Sequence, residues 1–177
     1  MRKIWMPVAA LLLAAAVLLG VYNLTLDLRA ENQAKELQAK METLLPGSTT
    51  FTEEEYTGED DIIAVVYKGE NGYVIGTVTA GYAGPIHMLI GVSDDGYVTG
   101  LQVRRMEETF GLGAEALSDW EFLAQFLRTE GDVAVGVEID SISGATVTSK
   151  AITRSVNAAV AYVTGSDVDS GATSWGG

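Results

Sequence analysis

Residues 62–80 read Ile62-Ile63-Ala64-Val65-Val66-Tyr67-Lys68-Gly69-Glu70-Asn71-Gly72-Tyr73-Val74-Ile75-Gly76-Thr77-Val78-Thr79-Ala80. Two apolar, β-branched runs, Ile62 to Lys68 and Gly72 to Ala80, flank a short polar turn. Asn-Gly in such a turn is a strong hairpin signal, because both residues tolerate the positive φ that matches strand twist. The pattern recurs downstream. Ile86 to Ser93 and Tyr97 to Arg104 are joined through Asp94-Asp95-Gly96, which predicts a second hairpin. In the last run Val98, Leu101 and Val103 stand between polar positions, and the alternation slips around Gly100. Four such strands predict one twisted antiparallel sheet with a face that needs cover.

Two helices are expected to supply that cover. Ser118-Asp119-Trp120-Glu121 matches a capping box, and Trp120, Phe122, Leu123 and Phe126 follow as an apolar face. A second helix is predicted from about Val147 to Val163, with Ile152, Val156, Ala159, Val160 and Val163 on or near one face. A strand, Val133 to Val137, is expected between them. The fold class is α+β, with one domain over residues 46–164 and a tail, 165–177, too poor in apolar residues to fold alone.

Upstream of the domain, Ala30, Ala34, Leu37, Met41 and Leu44 recur at helical spacing, so residues 27–45 read as a connecting helix ended by Leu45-Pro46-Gly47. Its stripe suits packing on the chain's own domain or a partner contact. Ile4 to Leu26 carries no formal charge and is long enough to cross a bilayer core of about 30 Å. A cleaved signal peptide is the alternative; the length of the run favours an anchor. Arg2 and Lys3, in the short end 1–3, then mark the cytoplasmic side, and everything after Leu26 lies outside the cytoplasm.

Composition excludes several chemistries. The 177 residues contain no cysteine, hence no disulfide, thiolate nucleophile or thiolate-bound metal, and the lone His87 cannot build a multi-histidine site. With 24 acidic and 11 basic residues the net charge is −13, which argues against a nucleic-acid surface. Glu53-Glu54-Glu55 and Glu59-Asp60-Asp61 lack the alternating oxygen ligands and glycine of a calcium loop and read as a solvated face. No metal site and no catalytic triad are expected.

Chemistry concentrates in Asp140-Ser141-Ile142-Ser143-Gly144-Ala145-Thr146-Val147-Thr148-Ser149, placed at a strand-to-helix junction. Five hydroxyls, small residues and an aspartate meet where free helix N–H groups favour an anion, so the segment suits a phosphate. An ordinary cap through Thr146 or Ser149 is the other reading.

The run Asp140, two spacers, Ser143, Gly144, Ala145, Thr146 before a helix resembles the flavinylation motif of the FMN-binding domain family. Gly81-Tyr82-Ala83-Gly84-Pro85-Ile86, the second hairpin and Glu108-Thr109-Phe110-Gly111-Leu112-Gly113 follow the same family's order of motifs, with Phe110 where members commonly carry proline. The pattern is most similar to the G subunits of Rnf ion-translocating ferredoxin:NAD oxidoreductases and is shared by the related C subunits of sodium-pumping NADH:quinone oxidoreductases. The resemblance implies FMN held by a phosphoester bond to Thr146, added by a flavin transferase with FAD as donor, with Asp140, Ser143, Gly144 and Ala145 as recognition frame. It further implies that Glu108, Thr109, Gly111, Leu112 and Gly113 line the flavin side, with Thr148 and Ser149 as phosphate donors or helix caps. Lys150 stands as a phosphate counter-charge or a solvated lysine, and His87 as a core or surface residue.

The implied protein is an electron-relay subunit with no substrate turnover of its own. A membrane anchor carries one extracytoplasmic FMN-binding domain, and the partners are the other subunits of the membrane complex. A stand-alone FMN carrier and a flavin-free tethered binding module are the rival readings. Asp167-Val168-Asp169-Ser170-Gly171-Ala172-Thr173 repeats the motif spacing in the tail, without a strand before it or a helix after it, and reads as a chance match.

Overall fold

The computed structural model describes residues 17–19, 22, 29, 31–58, 60–82, 84–106 and 119–166, with the side chains of 105 and 106 excepted. The chain divides into two compact units, Met1–Ala39 and Lys40–Gly177. In the first, the described residues are helical, and Lys35 pairs with Glu31 across one turn at 2.6 Å. No helix among the described residues is long and apolar enough to cross a membrane. The anchor expected at residues 4–26 falls outside the described residues except for 17–19 and 22.

Helical residues 31–44 form α1, whose last turn belongs to the second unit. Of the expected stripe, Met41 and Leu44 are buried, whereas Ala34 is exposed. The sheet that follows has five strands: β1 (Thr52–Glu54), β2 (Ile63–Lys68), β3 (Gly72–Ala80), β4 (Pro85–Ser93) and β5 (Val98–Met106). Their spatial order is their chain order and every pairing is antiparallel. Both expected hairpins are present, closed by Gly69 N–H to Gly72 O at 2.9 Å and by Ser93 N–H to Tyr97 O at 2.9 Å. The short β1 is additional to the four strands expected; it pairs Thr52 with Lys68 and Glu54 with Val66.

Period-2 alternation gives the sheet two apolar faces. On one, Val66, Ile75, Ile86, Met88, Ile90, Val92 and Val98 join the main core. On the other, Val74, Leu89 and the end of α1 meet, with Leu45 fully buried. Here Gly91 and Gly100 oppose each other, and a Cβ on Gly91 would lie 2.2 Å from the Leu44 carbonyl oxygen. The helix end therefore rests directly on backbone. Gly91 pairs with Gly100 but Val92 with Val98, leaving Thr99 as the extra residue of a bulge. The slip in alternation around Gly100 is this bulge, and it aims the Thr99 hydroxyl at the Leu44 carbonyl, 2.6 Å away.

The main core is covered by α2 (Trp120–Ala124) and α3 (Thr146–Thr164). The cap of α2 is Asp119, one residue later than the expected capping box; its carboxylate accepts from Glu121 N–H at 2.9 Å and Phe122 N–H at 3.2 Å. Phe122 and Phe126 stack edge-to-face in the core, but Trp120 is 70% exposed and stands outside the apolar face assigned to it. In α3, Ile152, Val156, Ala159 and Val160 are buried, as the 3.6-residue period requires. Thr79 of β3 and Ser155 of α3 share a buried hydrogen bond of 3.0 Å, so each satisfies the other's hydroxyl. Gly165 ends α3 in the left-handed conformation, φ +66°, with its N–H on Ala161 O.

The expected strand at Val133–Val137 is not formed. Residues 133–139 make turns and one isolated bridge, Val135 to Ile139. Val133 instead finds its partners on a side chain: Asn157 Nδ2 donates to Val133 O at 3.0 Å, and Asn157 Oδ1 accepts from Val133 N–H at 3.3 Å. An amide on α3 thus replaces a neighbouring strand, so the junction before α3 is loop-to-helix.

Candidate functional site

The loop before α3 is built by its own sequence. Gly144 takes φ +81°, a left-handed value that glycine adopts without steric cost. Ala145 is buried and occupies the N-cap position, and no side chain caps the helix there. Ala145 N–H bonds to Ile142 O at 3.0 Å, and Ser149 N–H to Ala145 O at 2.9 Å. The Ser149 hydroxyl donates to Ala145 O at 3.0 Å and accepts from Ile142 N–H at 3.3 Å. One fully buried serine therefore pins both ends of the tight turn.

Thr146 is the first residue of the helix and is exposed. It lies on a cavity of about 410 Å³ lined by Ala80, Gly81, Thr146, Val147, Lys150, Ala151 and Arg154. Ala80 ends β3, so the cavity lies between one strand end and the first turns of α3. Thr146, Lys150 and Arg154 stand four residues apart, on one helix face. Arg154 is half-buried, and its Nε has no hydrogen-bond partner among the described residues.

The expected site residues separate into three groups. Thr146 and Lys150 face the cavity. Asp140, Ser143 and Gly144 are exposed in the loop before the helix, with Asp140 N–H donating to the Gln125 side chain at 2.7 Å. Thr148 and Ser149 are buried and take no part in the lining. Glu108, Thr109, Gly111, Leu112 and Gly113 lie outside the described residues, as does the tail motif ending at Thr173. His87 is half-buried in β4. Arg154, Ala80 and Gly81 were not assigned to the site from sequence. Arg154 carries a signal that could have found it, the eight-residue spacing from Thr146 within one helix; Ala80 reaches the site only through tertiary packing.

These residues fit a phosphate-bearing small molecule. The helix N-terminus without a side-chain cap offers N–H groups and a positive dipole end to a phosphate. Two cationic side chains line the same wall, and the cavity volume lies within the range for small-molecule sites.

The model of the FMN-binding domain family matches residues 81–161. Over 164 residues the chain is 34% identical to the G subunit of the ion-translocating oxidoreductase complex of Methanosarcina acetivorans, covering 85% of this chain and 87% of that one. It is 32% identical over 161 residues to the G subunit of the proton-translocating ferredoxin:NAD(+) oxidoreductase complex of Clostridium ljungdahlii, covering 86% and 85%. The G subunit of the Na(+)-translocating ferredoxin:NAD(+) oxidoreductase complex of Acetobacterium woodii is 38% identical over 114 residues, 57% of this chain and about half (55%) of that relative. Among solved structures, Shewanella oneidensis NqrC aligns with a TM-score of 0.46 and 19% identity, covering 71% of this chain and 73% of that one. The Methanosarcina acetivorans and Clostridium ljungdahlii matches, above 30% identity across most of both chains, place the protein in the family of G subunits of ion-translocating oxidoreductase complexes, with an FMN-binding domain over residues 81–161.

Proposed function

We propose that this chain is the FMN-carrying electron-relay subunit of an ion-translocating ferredoxin:NAD oxidoreductase complex, with the cofactor esterified to Thr146. The carrying observation is the position of Thr146: an exposed hydroxyl-bearing residue at the first turn of a 19-residue helix, on the wall of a cavity that also holds Lys150 and Arg154. Homology to complexes named for ferredoxin:NAD oxidoreduction supports the setting.

In maturation, Thr146 Oγ attacks the FMN phosphorus of FAD, AMP leaves, and the hydroxyl proton passes to a base of the transferase. Once bound, FMN supplies one- and two-electron transfer. The chain's own residues hold and orient it. Gly144 and Ser149 fix the turn that presents Thr146, the first turn of α3 faces the phosphate, and Lys150 sets a cation one turn further on. Asp140, Ser143, Gly144 and Ala145 form the frame that the transferase reads, and Glu108, Thr109, Gly111, Leu112 and Gly113 line the flavin side. Residues 4–26 anchor the chain with its N-terminus in the cytoplasm, and the FMN domain stands outside among the other subunits. Covalent attachment suits that compartment, since the cofactor cannot dissociate.

The test is intact mass and peptide mapping of membrane-extracted chain co-expressed with a flavin transferase. One FMN on the peptide containing Thr146, lost in Thr146→Ala and absent from the tail peptide containing Thr173, is the expected result. An unmodified mass with active transferase present overturns the covalent reading.

A further inference from the structure

Arg154 stands two turns beyond Thr146 on the same face of α3, about 12 Å along the helix axis at 1.5 Å per residue. It lines the same cavity as Thr146, and its Nε is buried without a hydrogen-bond partner among the described residues. Neither Lys150 nor Arg154 is in an ion pair among the described residues. A guanidinium held partly out of water with an unused donor is costly unless an acceptor or an anion meets it. Lys150 and Arg154 are the only charged side chains in the described lining, and both are positive although the chain as a whole is strongly acidic. The charge on the described lining is therefore opposite in sign to the net charge of the molecule.

We propose that Lys150 and Arg154 divide the charge of the cofactor between them: Lys150 faces the phosphodiester at Thr146, and Arg154 faces the negative charge that the ring gains on reduction. The inference rests on the flavin reading above and adds a redox-tuning residue to it. Uptake of two electrons and one proton, the electrons from dithionite in a titration and the proton from water, leaves the flavin ring with one more negative charge. A guanidinium beside that charge favours the reduced form and raises the midpoint potential; it also lowers the pH at which the reduced ring takes a second proton.

The test uses the full flavin-loaded chain in detergent, its FMN first verified by mass on the Thr146 peptide. Midpoint potentials are then measured by spectroelectrochemical titration across neutral pH for the wild type, Arg154→Gln, Arg154→Lys and Lys150→Gln. Arg154→Gln should shift the potential negative by at least tenfold in the reduction equilibrium, about 30 mV for a two-electron couple. It should also extend the two-proton slope of the potential to higher pH. Arg154→Lys should recover most of both effects, and Lys150→Gln should move the potential less. An unchanged potential in Arg154→Gln overturns the proposal, as does an equal shift in Lys150→Gln, which would reveal only the general field of the helix face. A loaded wild type beside an unloaded Arg154→Gln also overturns it, because the residue would then serve attachment. Absence of FMN from the wild type is the separate result that removes the flavin reading and this inference together.

Discussion

Ser149 shows how a hydroxyl near a phosphate-friendly junction can serve the chain itself. Its Oγ is committed to Ala145 O and Ile142 N–H, and the residue is fully buried, so it ties the turn from both sides. Ser149→Ala leaves the Ile142 N–H without its partner and removes a donor from Ala145 O. The expected cost is about 1–3 kcal/mol, read as a lower denaturation midpoint at unchanged slope. The loss should be as large in cofactor-free chain as in flavin-loaded chain. A stability loss confined to the loaded form would instead make Ser149 a phosphate ligand. Sequence alone left both roles open, because a serine in the first turn of a helix satisfies either; only the positions of Ile142 and Ala145 decide.

Among the elements, the two hairpins were legible because Asn71-Gly72 and Asp94-Asp95-Gly96 encode turn geometry locally. The strand β1 was not legible, since Thr52-Glu53-Glu54 has no apolar alternation and all three residues are exposed. Its place is set from outside. Just upstream, Glu70 of the first hairpin turn accepts from Thr49 N–H at 2.7 Å, Thr50 N–H at 3.2 Å and the Thr50 hydroxyl at 2.8 Å, leading the chain onto β2. The Val133–Val137 segment failed in the opposite sense: it carries β-branched residues, but its backbone partner is the Asn157 amide. The Glu70 clamp makes a pH prediction. The Thr50 hydroxyl bond, with the backbone N–H bonds, holds the Glu70 carboxyl down to about 2 from 4.5. Its folded value lies below its unfolded one, so the folded chain binds fewer protons there and stability rises with pH through that window. The contribution is complete above the ordinary carboxylate range and is lost as pH falls toward 2. The Tm gap between wild type and Glu70→Gln should accordingly be present at about pH 6 and closed at about pH 2. A gap that persists unchanged at the acid end would show that packing of the side chain, not its charge, anchors β1.

At the scale of the molecule, the site is assembled from parts far apart in sequence, and this limits what could be read in advance. Thr146 was visible from its motif, yet the cavity wall pairs α3 with the end of β3, a contact made by folding the sheet under the helix. Every buried apolar side chain among the described residues lies at Met41 or beyond, which places the described core in the second unit. A chain that begins at Lys40 therefore retains Leu44 and Leu45 against the sheet, both hairpins, both covering helices and the described lining of the cavity. It loses the exposed Lys35–Glu31 pair, and exposed i,i+4 pairs are worth only about 0.3–0.5 kcal/mol. The shortened α1 is a single turn, too short to hold its shape alone, but it is fixed by the burial of Leu44 and Leu45 and by the Thr99 hydroxyl on Leu44 O. The truncated chain should thus unfold cooperatively in water without detergent and should accept FMN at Thr146 from a flavin transferase in solution. Cooperative unfolding with normal flavin loading would separate the two tasks of the protein: residues before Lys40 locate the carrier, and residues after it make one. A folded but unloaded fragment would show that the transferase needs the N-terminal segment. A fragment without a cooperative transition would show that the core from Met41 onward is not sufficient to hold the sheet.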